Sequence, residues 1–131
     1  MIVDLFEVGN TKTFTKIVLN EDCASFESGN VHPVYATFAL GRDAEWACRL
    51  FVLEMKEAHE EGIGTFLTIN HKSPALVGST VVITATVKSI QKNEIICMYK
   101  VQVGDRIIAE GEQGQKIIAK QKLDALFESL K

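Results

Sequence analysis

The stretch Val34 to Cys48, VYATFALGRDAEWAC, decides how the chain is interpreted, because it leads into the longest helical pattern in the sequence. Apolar residues recur at helical spacing from Ala39 to Glu61, and Gly62 provides a stop. They include Ala44, Ala47, Cys48, Phe51, Val52, Met55 and Ala58. Further apolar residues widen this surface beyond one stripe: Trp46, Leu50 and Leu53. A helix with so broad an apolar surface is usually wrapped by other structure, so we predict a central helix.

Downstream of the helix the apolar period changes from helical to two. From Ile63 the residues Thr65, Leu67, Ile69 and His71 share one face of a predicted strand that ends near Pro74, and we expect this face to point toward the helix. Two alternating runs follow, Val81 to Lys88 and Ile95 to Val103, and predict a long hairpin. A last strand runs from Arg106 to Ile118, where Gly111 and Gly114 indicate a bulge or a close approach of another backbone.

The flanking segments complete the predicted topology. A first strand is expected around Thr13 to Leu19, followed by a polar loop from Asn20 to Val31 that contains at most a short helical turn. The tail from Lys120 to Lys131 has the spacing of a short amphipathic helix. One helix followed by an antiparallel meander predicts an α+β fold in which a curved sheet wraps the helix. Pairing the sheet edges across a two-fold axis would protect them, so we expect a homodimer or a dimer of dimers.

Bulk composition restricts the function further. The chain has 131 residues, which fit one domain over 1–131, and its net charge of −3 is spread along the sequence, so neither nucleic-acid nor membrane binding is expected. Asp4 and Glu7 stand where a signal peptide would be basic and apolar, so we expect a cytoplasmic protein. Three scattered cysteines without a CxxC pair predict buried thiols, and no metal site is expected.

The opening segment also contains polar groups that suggest chemistry. Thr37 and Glu45 flank the predicted helix start, and His71 ends the helix-facing strand. Glu45 has an alternative interpretation, because it lies three residues after Arg42 and four before Arg49 and so has the spacing of an ordinary helical ion pair. Thr37 alone is a common cap residue and His71 alone a common structural histidine. Backbone N–H groups around Leu40 to Arg42, at the predicted helix N-terminus, are candidates to bind a negatively charged oxygen (an oxyanion) that forms during a reaction.

In combination these residues resemble a known family. The string VYATFALGRDAEWAC, the later IGTFLTINH and the PxxxGxxV pattern from Pro74 to Val81 are similar to the fluoroacetyl-CoA thioesterase family of the hotdog superfamily. The resemblance covers roughly Thr13 to Ile118, with the C-terminal helix outside it. It implies a catalytic set of Thr37, Glu45 and His71 at a dimer interface, acting on an acyl-CoA thioester without a further cofactor, since coenzyme A is part of the substrate.

Three more residues are predicted to line the substrate site. The resemblance implies that Gly64 borders the acyl pocket. His32 precedes Pro33 close to the central segment, and Tyr35 lies within that segment. Basic residues that can meet coenzyme A phosphates are Lys72, Lys88, Lys92 and Arg106, although scattered surface lysines are usually only solvated.

The chain departs from the family at one place. Where a T-H-x-R pattern is common, this sequence has Glu112, Gln113, Gly114 and Gln115, so a basic contact is either missing or supplied by Lys116. We therefore expect a thioesterase for a small or medium acyl chain rather than for fluoroacetyl-CoA. Alternatives are a non-catalytic module that binds acyl-CoA and, less well matched, an enoyl-CoA hydratase. Whether Glu45 acts as base or as nucleophile is left open.

Overall fold

A computed structural model describes residues 1–27 and 29–131 of the chain. The elements follow one another as β1 (Thr11–Ile17), a 3₁₀ turn (Asn20–Asp22), β2 (Cys23–Phe26), β3 (Gly29–Tyr35), α1 (Thr37–Met55), β4 (Glu60–Leu67), β5 (Asn70–His71), β6 (Thr80–Gln91), β7 (Glu94–Val103), β8 (Arg106–Ala119) and α2 (Lys120–Ser129).

An antiparallel sheet forms most of the fold. Its strand order is β1-β6-β7-β8-β4, and the short strand β5 also pairs with β8. Along β6 the residues Val81, Ile83, Ala85 and Val87 are buried and alternate with less buried, mostly polar neighbours, as expected for a sheet with one covered face. The covered face packs on α1, so the α+β fold with a curved sheet around a central helix is confirmed.

Helix α1 ends earlier than the sequence predicts. It runs from Thr37 to Met55 instead of from Ala39 to Glu61. The backbone N–H of Ile2 donates to the carbonyl of Met55 at 2.8 Å, and Lys56 adopts an extended conformation. A distant segment therefore satisfies a terminal carbonyl of the helix, and Glu60 and Glu61 are free to begin β4.

One side of α1 is left uncovered by the sheet. Ala44, Ala47 and Phe51 are fully buried, whereas Phe38, Trp46 and Leu53 are 55%, 41% and 40% exposed. The apolar surface of α1 is thus broader than the part that the sheet covers, because a single curved sheet covers only the face it curls around.

Strand β4 contains a bulge that changes which residues face the helix. The register between β4 and β8 shifts between Gly64 and Phe66. An extra residue reverses the alternation of side chains, so Thr65 and Phe66 both lie over Gly114. The prediction that Thr65 shares the helix-facing side is wrong for this reason. Gly111 and Gly114 mark close approaches, since a Cβ on Gly111 would lie 2.0 Å from the carbonyl oxygen of Thr68.

The polar segment before α1 is more regular than predicted. Within the expected loop from 20 to 31 the structure has the 3₁₀ turn and a hairpin of β2 and β3, which form a separate two-stranded sheet. At the other end of the chain α2 is present as predicted, with Leu123 buried and Leu126 and Phe127 about half exposed. No helix in the described part of the chain is both long and apolar enough to cross a membrane.

Candidate functional site

The predicted catalytic residues lie along a line where α1 passes β4 and β5 in the opposite direction. We call this line the seam and define it by four helix residues and the strand residues that they face. In order along the helix, Thr37 faces His71, Gly41 faces Leu67 and Ile69, Glu45 faces Gly64, and Arg49 faces Gly62.

Thr37 and His71 form a hydrogen-bonded pair at one end of the seam. The Oγ1 atom of Thr37 lies 2.9 Å from Nδ1 of His71. The other ring nitrogen of His71, Nε2, is buried and has no hydrogen-bond partner among the described residues. A buried imidazole nitrogen without a partner is costly, so a ring held in this way is ready to bond a substrate or a water molecule.

The first turn of α1 begins beside this pair. No side chain caps the helix at Ala36, and the first intrahelical bond runs from the N–H of Leu40 to the carbonyl of Ala36 at 2.9 Å. The free N–H groups therefore belong to Thr37, Phe38 and Ala39. The predicted oxyanion position at Leu40 to Arg42 is wrong, because the helix starts two residues earlier than expected and those N–H groups lie inside it.

Glu45 occupies the middle of the seam, next to a glycine that leaves room for it. A Cβ on Gly64 would lie 2.6 Å from Oε1 of Glu45, so only glycine fits there without displacing the carboxylate. The same oxygen accepts a hydrogen bond of 3.0 Å from Nε2 of Gln113. Glu45 is exposed in the single chain. The expected pair between Glu45 and Arg49 does not form, since Arg49 bonds Glu61 instead.

Two glutamines that the sequence marks only as a departure from the family pattern lie behind Glu45. Gln113 and Gln115 are only 1% and 2% exposed, and Nε2 of Gln115 donates to Oε1 of Gln113 at 2.9 Å. Nη1 of Arg49 lies 3.5 Å from Oε1 of Gln115. Their spacing of two on a strand places both on the helix-facing side, and that parity is the signal by which they could have been found.

The basic groups proposed for coenzyme A are mostly engaged elsewhere. Lys72 pairs with Glu110, Lys88 pairs with Glu112, and Arg106 donates to Ser73 and Pro74. Lys116 lies between two buried residues of β8 and is exposed, so it points away from Glu45 on the other side of the sheet. The guanidinium that reaches the seam is that of Arg49.

The other two predicted substrate contacts lie off the seam. His32 is on β3, opposite Ala24, with an exposed side chain. Tyr35 is 1% exposed, and its hydroxyl donates to Asp43. Burial is the main influence that raises the pKa of Tyr35, and its bond to Asp43 acts in the same direction. In the single chain Tyr35 has almost no surface to offer a substrate.

Tyr35 belongs to a cluster of charged residues on the other flank of α1, which we call the anchor cluster. Its members are Lys16, Asp22, Tyr35, Arg42 and Asp43. Asp22 is 1% exposed and accepts from Nη2 of Arg42 at 2.8 Å, while Nζ of Lys16 lies 2.8 Å from its second oxygen. Arg42 also bonds Asp43. The cluster ties β1 and the 3₁₀ turn to the first turns of α1.

Comparison with solved structures identifies the class. A Thermus thermophilus protein described as a thioesterase superfamily member is 32% identical, covering 95% of this chain and 92% of that one, with a TM-score of 0.90. A hot-dog-like protein from Thermanaerovibrio acidaminovorans is 18% identical, covering 96% and 93%, with a TM-score of 0.87. The fold and the relative together define a hotdog protein of the thioesterase superfamily.

The family model narrows this class. The model described as fluoroacetyl-CoA-specific thioesterase matches residues 18–121, so the chain belongs to that thioesterase family. A variant of the fluoroacetyl-CoA-specific thioesterase, solved in complex with fluoroacetate and CoA, is 23% identical over 90% of this chain and 99% of that one, with a TM-score of 0.83. No curated protein sequence matches the chain.

Proposed function

We propose that this protein hydrolyses the thioester of a small or medium acyl-CoA, with Thr37, Glu45 and His71 as its working residues. The observation that carries the proposal is the seam itself. There a threonine–histidine pair, whose Nε2 has no partner in the described part of the chain, lies on the same helix–strand contact as a carboxylate beside a glycine. Membership of a thioesterase family supports the reaction class. The acyl group is expected to border Gly64.

The chemistry requires attack on the thioester carbonyl, in which a C–O bond forms and the C–S bond breaks. Glu45 delivers this attack, either by taking a proton from water or by bonding the carbonyl carbon directly to give an anhydride that water then opens. The leaving thiol resembles cysteine, whose reference pKa is about 8.5, so it leaves without strong protonation. The N–H groups of Thr37, Phe38 and Ala39, in the uncapped first turn of α1, are the proposed donors to the developing oxyanion.

His71 and Thr37 act on the proton and on the water. Nδ1 of His71 is held by Thr37 at 2.9 Å, which fixes the ring and leaves the buried Nε2 without a partner among the described residues. A ring oriented in this way can receive the proton released by attacking water or bond the carbonyl oxygen. Thr37 orients the ring through its hydroxyl.

We further propose that a homodimer completes the site. Eight residues separate Thr37 from Glu45, which puts them about 12 Å apart along the helix axis, too far for both to reach one carbonyl carbon. β4 borders the seam and ends the sheet, so its outer edge is available for pairing with a second copy. A two-fold axis near Gly41, midway along the seam, would bring Thr37 and His71 of one protomer beside the partner's Glu45.

The test of the reaction is thiol release from a panel of acyl-CoA thioesters that runs from acetyl-CoA to medium chains and includes fluoroacetyl-CoA. We expect turnover by the wild type and a loss of at least about 100-fold in kcat for Glu45→Gln and His71→Ala, the size of general acid–base contributions. Glu128→Gln is the control, since its carboxylate pairs with Lys131 on the exposed surface of α2. Absence of turnover, or full activity in both variants, would contradict the proposal.

The test of the shared site is complementation between two inactive variants. Glu45→Gln and His71→Ala homodimers are mixed, exchanged and assayed. If the site uses both protomers, random mixing gives half heterodimers with one intact site each, or about a quarter of wild-type activity. A protein that stays monomeric, or a mixture that stays inactive after exchange, would show that the site does not form in this way.

A non-catalytic acyl-CoA-binding module is the second candidate. Two neutral glutamines, Gln113 and Gln115, stand where a basic contact is common in the family, and this favours binding without efficient turnover. Calorimetry with coenzyme A distinguishes the candidates. Binding without thiol release would favour the module, and absence of any binding would count against both.

A further inference from the structure

We propose that Gln113 is a positioning residue for Glu45, and that Gln115 and Arg49 hold it in place from behind. The inference rests on the proposed function, because it assigns to Gln113 the positioning of Glu45, whose role in the reaction is itself proposed. It starts from three consecutive contacts: Arg49 to Gln115, Gln115 to Gln113, and Gln113 to Glu45.

The orientation of both amides is determined by their partners. Nε2 of Gln113 meets two acceptors, Oε1 of Glu45 at 3.0 Å and the carbonyl of Gly114 at 2.9 Å. Reversing this amide would place its oxygen against both of them. Oε1 of Gln115 meets the guanidinium of Arg49, so that amide cannot reverse either. Every donor in the series therefore points toward the carboxylate of Glu45.

The glutamines are buried deeply enough for these bonds to matter. Gln113 and Gln115 are 1% and 2% exposed, and a buried amide is retained only where its groups are paired. Gln113 lies on β8, and the carboxylate it bonds lies on α1, so the bond connects the sheet to the helix at the point where the chemistry is proposed. Glu45 is otherwise exposed and would move among several rotamers.

A pair of glycines on β4 makes the arrangement possible. Gly64 leaves space for Glu45, and a Cβ on Gly62 would lie 3.1 Å from Nη1 of Arg49 and 3.3 Å from Oε1 of Gln115. The two glycines are two residues apart and both face the helix. Gly64 therefore leaves space for Glu45 at one end of the series of contacts, and Gly62 leaves space for Arg49 at the other. Burial of Arg49 is only partial, and Glu61 balances its charge.

The positions of Gln113 and Gln115 behind Glu45 also account for the departure from the family pattern. Where a histidine and an arginine are common on the last strand, this chain has Gln113 and Gln115, and Arg49 of α1 contacts Gln115. Because Glu61 balances the charge of the Arg49 guanidinium, the two amides act on the carboxylate of Glu45 through the hydrogen bond from Gln113 and not by supplying a net positive charge.

The kinetic test replaces Gln113 with methionine, which keeps the volume and removes the donor. We expect kcat to fall about 10- to 100-fold, the effect of losing a hydrogen bond to a charged group, while KM changes by less than about threefold. In the Glu45→Gln background the same substitution should change kcat by less than about threefold, because the two residues act as one unit. Gln102→Met on β7 is the matched control.

A second variant guards against a loss that is only structural. Gln113→Met leaves the Nε2 donor of Gln115 without its acceptor, which can lower stability. Gln113→Met combined with Gln115→Met removes both buried amides, so this pair should recover stability but not kcat. Recovery of kcat in the double variant, or an undiminished effect of Gln113→Met beside Glu45→Gln, would overturn the proposal.

A measurement without substrate separates this inference from the proposed function. In 15N-labelled protein the side-chain amide signals of Gln113 should shift on Glu45→Gln and remain in place on Glu112→Gln, whose carboxylate pairs with Lys88. Unmoved Gln113 signals would overturn the inference even if the enzyme is active. If the signals shift but the protein hydrolyses no thioester, the hydrogen bond between Gln113 and Glu45 is supported and the proposed function is contradicted.

Discussion

Two polar clusters flank the first half of α1, and they differ in how completely their groups are paired. In the anchor cluster Asp22 and Asp43 each receive bonds from Lys16 and Arg42, and Tyr35 donates to Asp43. Along the seam, within residues 1–27 and 29–131, Nε2 of His71 has no partner and the exposed Glu45 has a single side-chain donor. Asp43 and Glu45 are two residues apart, and about 200° of helical rotation sends them to opposite flanks.

This difference in pairing indicates a difference in role. A buried charge with all its partners in place stabilises the fold. Removing one partner leaves another charge buried without compensation, which is strongly destabilising. An unpaired imidazole nitrogen and a carboxylate in a glycine-lined space can exchange protons with a bound molecule. We therefore assign stability to the anchor cluster and reactivity to the seam, and substitutions can separate the two.

The largest effect on stability is expected from Asp22→Asn. Burial, the largest influence, raises the pKa of Asp22, but bonds from Lys16, the N–H of Leu19 and Arg42 outweigh it and hold the pKa at about 2. The substitution should cost about 3 kcal/mol of unfolding free energy at neutral pH, since it removes one partner from a buried charge group. Denaturant unfolding measures the loss.

The pH dependence of that loss follows from the sign of the shift. A pKa of about 2, below the ordinary 3.8, gives a contribution that is fully present above about pH 4 and lost as the pH falls toward 2. The gap between wild type and Asp22→Asn should therefore close over that range. Glu128→Gln, in a pair 75% exposed on both sides, is the control and should change little. A gap that stays constant down to pH 2 would refute this role of Asp22.

A smaller effect, and one on activity, is expected from Gly64→Ala. Its Cβ would lie 2.6 Å from Oε1 of Glu45, so the carboxylate must move while the exposed surroundings accommodate the change. We expect kcat to fall about tenfold, within the range for a displaced catalytic group, with little change in melting temperature.

The matched comparison is Gly62→Ala. Its Cβ would meet the fully buried Val52 at 2.6 Å, so this variant should lose stability first, through crowding of the core. Equal losses of stability in the two variants would contradict the distinction between Gly64, which leaves space for Glu45, and Gly62, which packs against the core.

Local patterns predicted most of the fold but not the contacts that depend on distant segments. Periodicity predicted α1, the β6–β7 hairpin and α2, because each buries its own face. The end of α1 could not be predicted, since the bond from Ile2 to Met55 decides it. The alternation of side chains along β4 gave the wrong face for Thr65, because the position of the bulge depends on the register with β8.

For the candidate site, the sequence pointed to residues that the structure brings to one helix–strand contact, but not to the hydrogen bonds among them. Thr37 and His71 were expected near one another, and they are bonded. Arg49 was expected beside Glu45 as an i,i+4 partner, yet a strand residue, Glu61, takes its guanidinium. Gln113 drew notice only as a departure from a pattern, because a neutral residue on a strand carries no signal until the helix carboxylate opposite it is known.

The assignment of the chemistry to the seam is tested most directly by measuring kcat/KM for one acyl-CoA thioester with two variants, Glu45→Gln and Asp22→Asn, each corrected for its folded fraction. We predict a loss of at least about 100-fold for Glu45→Gln and a change of less than about threefold for Asp22→Asn. Equal losses in the two variants, or an undiminished rate for Glu45→Gln, would contradict the assignment of the chemistry to the seam.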